Sequence, residues 1–239
     1  MEGRSRAEGR VTSSPSPLST AKRGQKNDPR LYLVTLRLAD TAALELAMGD
    51  VIAAGDVAAV LVRLEPSDER TLINRIKAIA DAVQRRDAAL LLDGHPEIVA
   101  RAGADGAHLT GVPALSAALN ALKPDRIAGA GGLRSRHDAM LAGEAGADYV
   151  MFGEPDPLGG RPPLDALVER LEWWAEIFQP PCVGYAASLD EVSPLTQAGA
   201  DFIALGDWIW THAQGPAAAV AAAGRVAEVA SRQAPPTEP

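Results

Sequence analysis

Residues 145–163 read AGADYVMFGEPDPLGGRPP, and the reading of their first half decides the fold. Gly146 marks a helix end, the apolar run 149–152 predicts a short strand, and the chain then breaks into a Gly/Pro loop carrying Glu154, Asp156 and Arg161. The phrase before the loop is used three times, as AGADGAHL at 102–109, AGADYVMFG at 145–153 and AGADFIALG at 198–206. A looser copy, AAGDVAAVLV, spans 53–62. Each copy reads as a helix-to-strand junction. Gly103, Gly146 and Gly199 stand where a helix must stop, and glycine accepts the left-handed conformation that closes a last turn. The alanine that follows lets helix and sheet approach closely, and the aspartate stands just before the strand.

Working outward, short apolar runs predict strands at 31–35, 58–63, 88–92, 106–109, 126–130, 149–152, 182–185 and 202–205. Most are continuous rather than alternating, as in strands buried on both faces. Helical patterns lie between them. The stretch 69–86 carries Leu72, Ile73, Ile76, Ile79, Ala80 and Val83 at turn spacing. Ser135 is a plausible N-cap for a helix at 135–145, and Ser188 with Glu191 reads as a capping box opening a helix at 188–198. The junction copies lie about two βα units apart, at ~25 residues per unit, which puts them before strands two, four, six and eight. Strict alternation of eight strands and eight helices predicts an α/β chain folded as a single (β/α)8 TIM barrel. The runner-up is an open doubly wound sheet, but no G-x-G-x-x-G follows the first strand. The barrel is expected at 30–231. Before it, 1–29 reads as a disordered basic Ser/Pro/Gly-rich tail, and 232–239 as a short disordered tail.

Composition bounds the function. The apolar fraction of 47% supports a sizeable core, but aromatic residues are only 4%, so that core is built from Ala, Val, Leu and Ile. A net charge of −8 argues against a general nucleic-acid binder. The one cysteine, Cys182, rules out an intramolecular disulfide and fits a reducing compartment. No run approaches a membrane span, and the N-terminus lacks the apolar core of a secretory signal, so the expected setting is cytoplasmic.

In a barrel of this kind function sits on the loops leaving the C-terminal strand ends. Glu154 directly follows a strand end and is a candidate acid/base group, its rival reading being a cap or a solvated loop carboxylate. Arg161 shares the longest Gly/Pro connection and is a candidate anion clamp, or part of a plain surface loop. Arg63 closes an apolar strand, where a charge is costly unless it is paired or reaches the open face, so it is a candidate for binding an anion there. Asp93 and His95 end the third strand and could orient a polar substrate, although Asp93 is equally placed to cap a helix. His108 on the fourth strand is either an acid/base group or a hydrogen-bonded core histidine. Trp208 and Trp210 could roof a ring-shaped ligand or pack on the last helix. Asp105, Asp148 and Asp201 lie at the opposite face and read as structural, and no residues show metal-ligand spacing.

LYLVT at 31–35, VLVR at 60–63, GADGAHL at 103–109, AGADYVMFG at 145–153 and AGADFIAL at 198–205 resemble, in order and spacing, the thiamine phosphate synthase/TenI superfamily. The resemblance implies a TIM barrel. It also implies a place in thiamine biosynthesis, where the family's synthases join a pyrimidine methyl diphosphate to a thiazole phosphate with Mg2+ and basic residues drawing off diphosphate. The TenI branch instead moves a proton that aromatises a thiazole phosphate, using a histidine after the sixth-strand F-G, where Glu154 stands here. The family's Q-x-R-x-K reads Leu61, Arg63 and Glu65, and its Asn-Asp pair reads Asp93-Gly94. Its G-Q-x-D reads Thr110, Gly111, Val112 and Pro113. Its Gly-Gly pair after strand seven aligns with Ala186 and Ala187, the positions implied to cradle phosphate, and the loop 154–161 has no Thr or Lys. Mg2+ is therefore implied by analogy alone, with its usual ligands replaced. The expectation is a thiamine phosphate synthase/TenI-like protein with a degenerate site for the ordinary joining reaction. Its ligand would be a small anionic or heterocyclic metabolite, with no nucleic-acid or membrane partner and self-association open. The alternatives are a non-catalytic binding or regulatory barrel, and a TenI-like proton-transfer enzyme using Glu154.

Overall fold

The computed structural model describes residue 18 and residues 28–233. Strands and helices alternate as β1 (Arg30–Leu38), α1 (Ala42–Ala53), β2 (Val57–Leu64), α2 (Glu69–Gln84), β3 (Ala89–Asp93), α3 (Val99–Ala102), β4 (Gly106–Thr110) and α4 (Val112–Leu122). They continue as β5 (Ile127–Gly131), α5 (Arg136–Ala145), β6 (Tyr149–Phe152), α6 (Leu164–Ile177), β7 (Cys182–Ala186), α7 (Val192–Gln197), β8 (Phe202–Leu205) and α8 (Pro216–Gln233). Single 3-10 turns at Leu189–Glu191 and Asp207–Ile209 precede the last two helices. Each strand pairs in parallel with its sequence neighbours and β8 closes on β1, giving the (β/α)8 barrel that the alternation predicts. β1 runs past the expected end at 35 because a register shift against β2 inserts an extra residue between Val34 and Arg37.

The period-2 alternation sorts each strand into two faces, both buried. On β1, Leu31 and Leu33 pack outward against the helices while Tyr32 and Val34 face the barrel interior. On β6, Val150 and Phe152 face outward and Tyr149 and Met151 inward. α2 supplies the helical side with Leu72, Ile76, Ile79 and Val83 at turn spacing, started by Asp68, whose side chain accepts the Thr71 N–H. Leu18 is also buried and belongs to the inner cluster. The expected tails otherwise fall on residues 1–17, 19–27 and 234–239, outside those described, while Arg232 and Gln233 extend α8.

The repeated junction has a definite construction. Gly103, Gly146 and Gly199 take φ of 75°, 101° and 85°. The aspartate two residues later then clamps the neighbouring strand at both polar groups of one residue. Asp105 N–H donates to Leu90 O at 2.8 Å, and its carboxylate accepts Leu90 N–H at 2.8 Å. Asp148 does the same to Ala128 at 2.9 and 2.7 Å, and Asp201 to Cys182 at 2.9 and 2.8 Å. The looser copy departs from this, its Asp56 carboxylate going to Arg30 Nε at 2.9 Å.

One capping expectation holds and another is corrected. Ser135 caps α5 in a reciprocal box with Asp138. Ser188 makes no side-chain cap; the segment opens as the 3-10 turn Leu189–Glu191, and Glu191 is drawn instead to Arg161 and the Ala187 N–H.

Candidate active site

The same alternation that fills the interior decides which residues reach the barrel mouth. On β4, Ala107 and Leu109 pack outward, so His108 points inward at the C-terminal end. β6 stops at Gly153, whose φ of 92° turns the chain, and Glu154 follows. Glu154 Oε1 lies 2.8 Å from His108 Nε2, and Oε2 accepts the Gly132 N–H at 2.9 Å. The His108 side chain is 1% exposed and that of Glu154 19%, so Glu154 is the more accessible member of the pair. The pair fits because β5 turns bare glycine toward it. A Cβ on Gly131 would lie 2.0 Å from Glu154 Oε2 and 2.3 Å from His108 Nε2.

Burial alone would raise the Glu154 pKa, but the charge and hydrogen bond of His108, then the Gly132 N–H and the Arg63 charge, hold it below the ordinary value. For His108 burial works against the cation, and the Glu154 charge and hydrogen bond, helped by Asp93, outweigh it and raise the pKa. Behind His108, Tyr149 stacks on the imidazole with ring centroids 5.7 Å apart.

The remaining candidates divide into two groups. Arg63 and Asp93 act on the pair through their charges. Arg63 Nε donates to Thr35 O, its guanidinium also pairs with Asp207, and its backbone N–H donates to Thr35 Oγ1 at 3.0 Å. Asp93 lies 4.0 Å from the Arg37 guanidinium. Arg161 belongs to the second group. It donates to Gly153 O at 3.2 Å, Tyr185 O at 3.1 Å and Glu191 Oε1 at 2.7 Å, tying the loop after β6 to the end of β7. Glu191 Oε2 also accepts the Ala187 N–H at 2.8 Å, so a side-chain carboxylate sits on the amide that the resemblance assigns to phosphate. Ala186 O accepts from Trp208 Nε1 at 3.1 Å and from Gly206 N–H at 3.2 Å. Trp210 Nε1 donates to Val34 O at 2.7 Å, so both indoles pin strand ends. His95 takes a φ of 55° and lies 3.3 Å from Glu97. Asp156 ties the long loop into a tight turn by accepting Leu158 N–H at 2.9 Å and Gly160 N–H at 2.8 Å.

The residues present do not fit the Mg2+ implied by the resemblance. Among the described residues no three His, Cys, Asp or Glu side chains converge as a metal site, and the positions that the resemblance assigns to metal ligands carry Asp93-Gly94 and Val112-Pro113. Sequence reasoning passed over Tyr149, Tyr32, Gly131, Glu191 as a partner of Arg161, and Asp207. The available signal was strand parity, which puts Tyr149 and His108 on inward positions, but parity does not say which inward residues meet.

A family model described as thiamine monophosphate synthase (TMP-TENI) matches residues 31–212. The chain is 40% identical over 203 residues to a thiamine-phosphate synthase of Rhodospirillum centenum, covering 83% of this chain and 98% of that protein. It is 37% identical over 202 residues to a thiamine-phosphate synthase of Hyphomonas neptunium, covering 81% and 91%. Among solved structures, a thiamine phosphate pyrophosphorylase from Pyrococcus furiosus superposes with a TM-score of 0.70 at 21% identity, covering 86% of this chain and 98% of that one. A 3-hexulose-6-phosphate synthase from Salmonella typhimurium, at 0.66 and 22% over 84% and 99%, shares the same barrel. The solved structures speak to the fold, and the matched span and identities carry the further conclusion that the chain belongs to the thiamine monophosphate synthase (TMP-TENI) family.

Proposed function

We propose that this chain acts in thiamine biosynthesis on a small phosphate-bearing heterocycle, and that its chemistry is proton transfer with Glu154 as the base and His108 as its partner. Family membership and the names of the relatives support the biosynthetic setting. The observation that carries the chemical reading is the Glu154–His108 pair at the mouth. Its carboxylate is held toward the charged form by its neighbours, hydrogen-bonded at both oxygens, and part of a side chain that keeps 19% exposure. A substrate seated against it removes the remaining water, which moves the carboxylate pKa up toward the range where it takes a proton. His108 and the Gly132 N–H keep both oxygens aligned while the proton moves.

The joining of pyrimidine diphosphate to thiazole phosphate is the competing reaction. It depends on charge stabilisation of the departing diphosphate. Here Arg63 and Arg161, the cations expected to serve it, already pair with Asp207 and Glu191. The same pairing favours the second reading, a barrel that binds such a metabolite without turning it over.

One set of assays separates the three. The protein is incubated with a thiazole phosphate tautomer in D2O, and in parallel with pyrimidine methyl diphosphate, thiazole phosphate and Mg2+. Isomerisation with solvent deuterium incorporation, lost in Glu154→Gln, is the expected result. Joining at enzyme-like rates would overturn the proton-transfer reading. Ligand-induced thermal stabilisation without conversion in either assay would support the binding protein.

A further inference from the structure

β1 changes face partway along its length. Val34 points into the barrel, while Leu38, four residues on, packs against the outer core. Unbroken alternation would put both on one face. The extra residue after Val34 breaks the count, because Val34 pairs with Leu61 and Arg37 pairs with Arg63, only two positions further along β2. A bulge beside a site re-aims the side chains that follow it. Here it turns Arg37, which an unbroken strand would send outward, to the inward face at the mouth.

The outcome is two arginines side by side on neighbouring strands, where like charges repel. Their side chains part in opposite directions. Arg63 reaches back across β1, donating to Thr35 O at 2.5 Å and pairing with Asp207 after β8. Arg37 reaches across β2 toward Asp93 at the end of β3, with 4.0 Å between them. The three arginines differ in how fully they are neutralised. The Arg63 side chain is 18% exposed and that of Arg161 20%, and each has a carboxylate at hydrogen-bond distance. That of Arg37 is 58% exposed and meets its carboxylate beyond hydrogen-bond distance.

We propose that Arg37 holds the phosphate group of the ligand, on the β1–β3 side of the mouth. The guanidinium is a planar fork of donors that matches two phosphate oxygens at once. Asp93 ties it only loosely, and an exposed ion pair of this kind is worth little, so a phosphate displaces the carboxylate at small cost. Asp93 also acts on His108 through its charge. The cation and the acid/base pair therefore share one part of the mouth, as a small phosphate-bearing ring acted on by Glu154 requires. The β1 bulge gains a purpose by the same argument, since it brings to the site a cation that strand alternation alone would leave outside.

The assignment rests on the ligand carrying phosphate, as proposed above, but its test needs no substrate and no turnover. Inorganic phosphate is titrated into the full chain at constant ionic strength, with chloride as the control anion. In protein labelled with 15N-arginine, the Arg37 Nε–H signal is identified by its loss in Arg37→Gln. It should shift saturably with phosphate and not with chloride. Phosphate binding, followed by backbone amide shifts, should weaken about tenfold or more in Arg37→Gln, as expected for one lost charge-assisted bond. Asp93→Asn, which removes the competing carboxylate, should tighten it. Equal affinity in wild type and Arg37→Gln with cooperative unfolding retained, weaker binding in Asp93→Asn, or no saturable shift in wild type overturns the proposal. Phosphate held by Arg37 without isomerisation of any substrate would leave this assignment standing and refute the proton-transfer reading alone.

Discussion

His108 Nε2 and Glu154 Oε1 lie 2.8 Å apart across a sequence separation of 46 residues. They meet over a glycine. Gly131→Ala would push a methyl group into both side chains. Overpacking of this kind costs about 1–3 kcal/mol. The expected outcome is a folded barrel, destabilised by that amount in urea unfolding, with proton transfer lost. Retained wild-type turnover would show that the pair is not the working group.

The pair also sets a pH signature. The Glu154 carboxyl is held below its ordinary 4.5, so its contribution to stability is present above 4.5 and is lost as pH falls through its folded value. His108 is held above its ordinary 6.5, so its contribution is full below 6.5 and is lost as pH rises through its folded value. Both act together between 4.5 and 6.5. The stability gap between wild type and Glu154→Gln should be widest in that window and narrow on either side. Breaking a buried pair costs about 3–5 kcal/mol, and the partial exposure of Glu154 puts the expected gap at or below the lower figure. Unfolding measured at a series of pH values checks this; a gap that does not vary with pH contradicts it.

Glu191 holds Arg161 and the Ala187 N–H at once. Glu191→Ala removes charge-assisted bonds of about 1.5–3 kcal/mol and leaves a guanidinium beside an open amide. The variant should melt lower than wild type in plain buffer, yet recover stability with added inorganic phosphate, an effect weakened by salt. An equal phosphate response in both proteins would show that Glu191 does not occupy an anion position.

The aspartate clamps are predicted to act on stability alone. Asp201→Ala leaves the Cys182 N–H without its carboxylate acceptor at the stability end of the barrel. The cost is about 1–3 kcal/mol, read by chemical denaturation. Turnover and ligand binding at the opposite face should be unchanged, and a defect there would mean that the two ends are coupled.

The junction aspartates were legible as structural residues from position alone, and Glu154 and His108 were legible one by one as polar groups near strand ends. Their contact was not, because it depends on the register of β4, β5 and β6, which fixes the height of each inward residue. Arg161 shows the reverse case. A lone cation in a Gly/Pro loop reads as an anion clamp, but a sequence does not display what neutralises a charge, and Glu191 does so from 30 residues away. The Ser188/Glu191 pattern misled for the same reason, since its glutamate makes stronger bonds outside the expected box. Tyr32 and Tyr149 lie within runs that read as buried strands, and only the assembled interior brings their hydroxyls together.

By itself the sequence determined the barrel. Helix-stopping glycines, clamp aspartates and doubly buried strands are local or periodic signals, and strict alternation leaves closure as the arrangement that covers every strand edge. The tertiary structure decided the site. Closing the sheet brings the ends of β1, β4, β5 and β6 to one axis, where a carboxylate, an imidazole and two hydroxyls come within hydrogen-bond distance. Those distances are set by register and by the two glycines of β5, and neither is written in the spacing of the polar residues themselves.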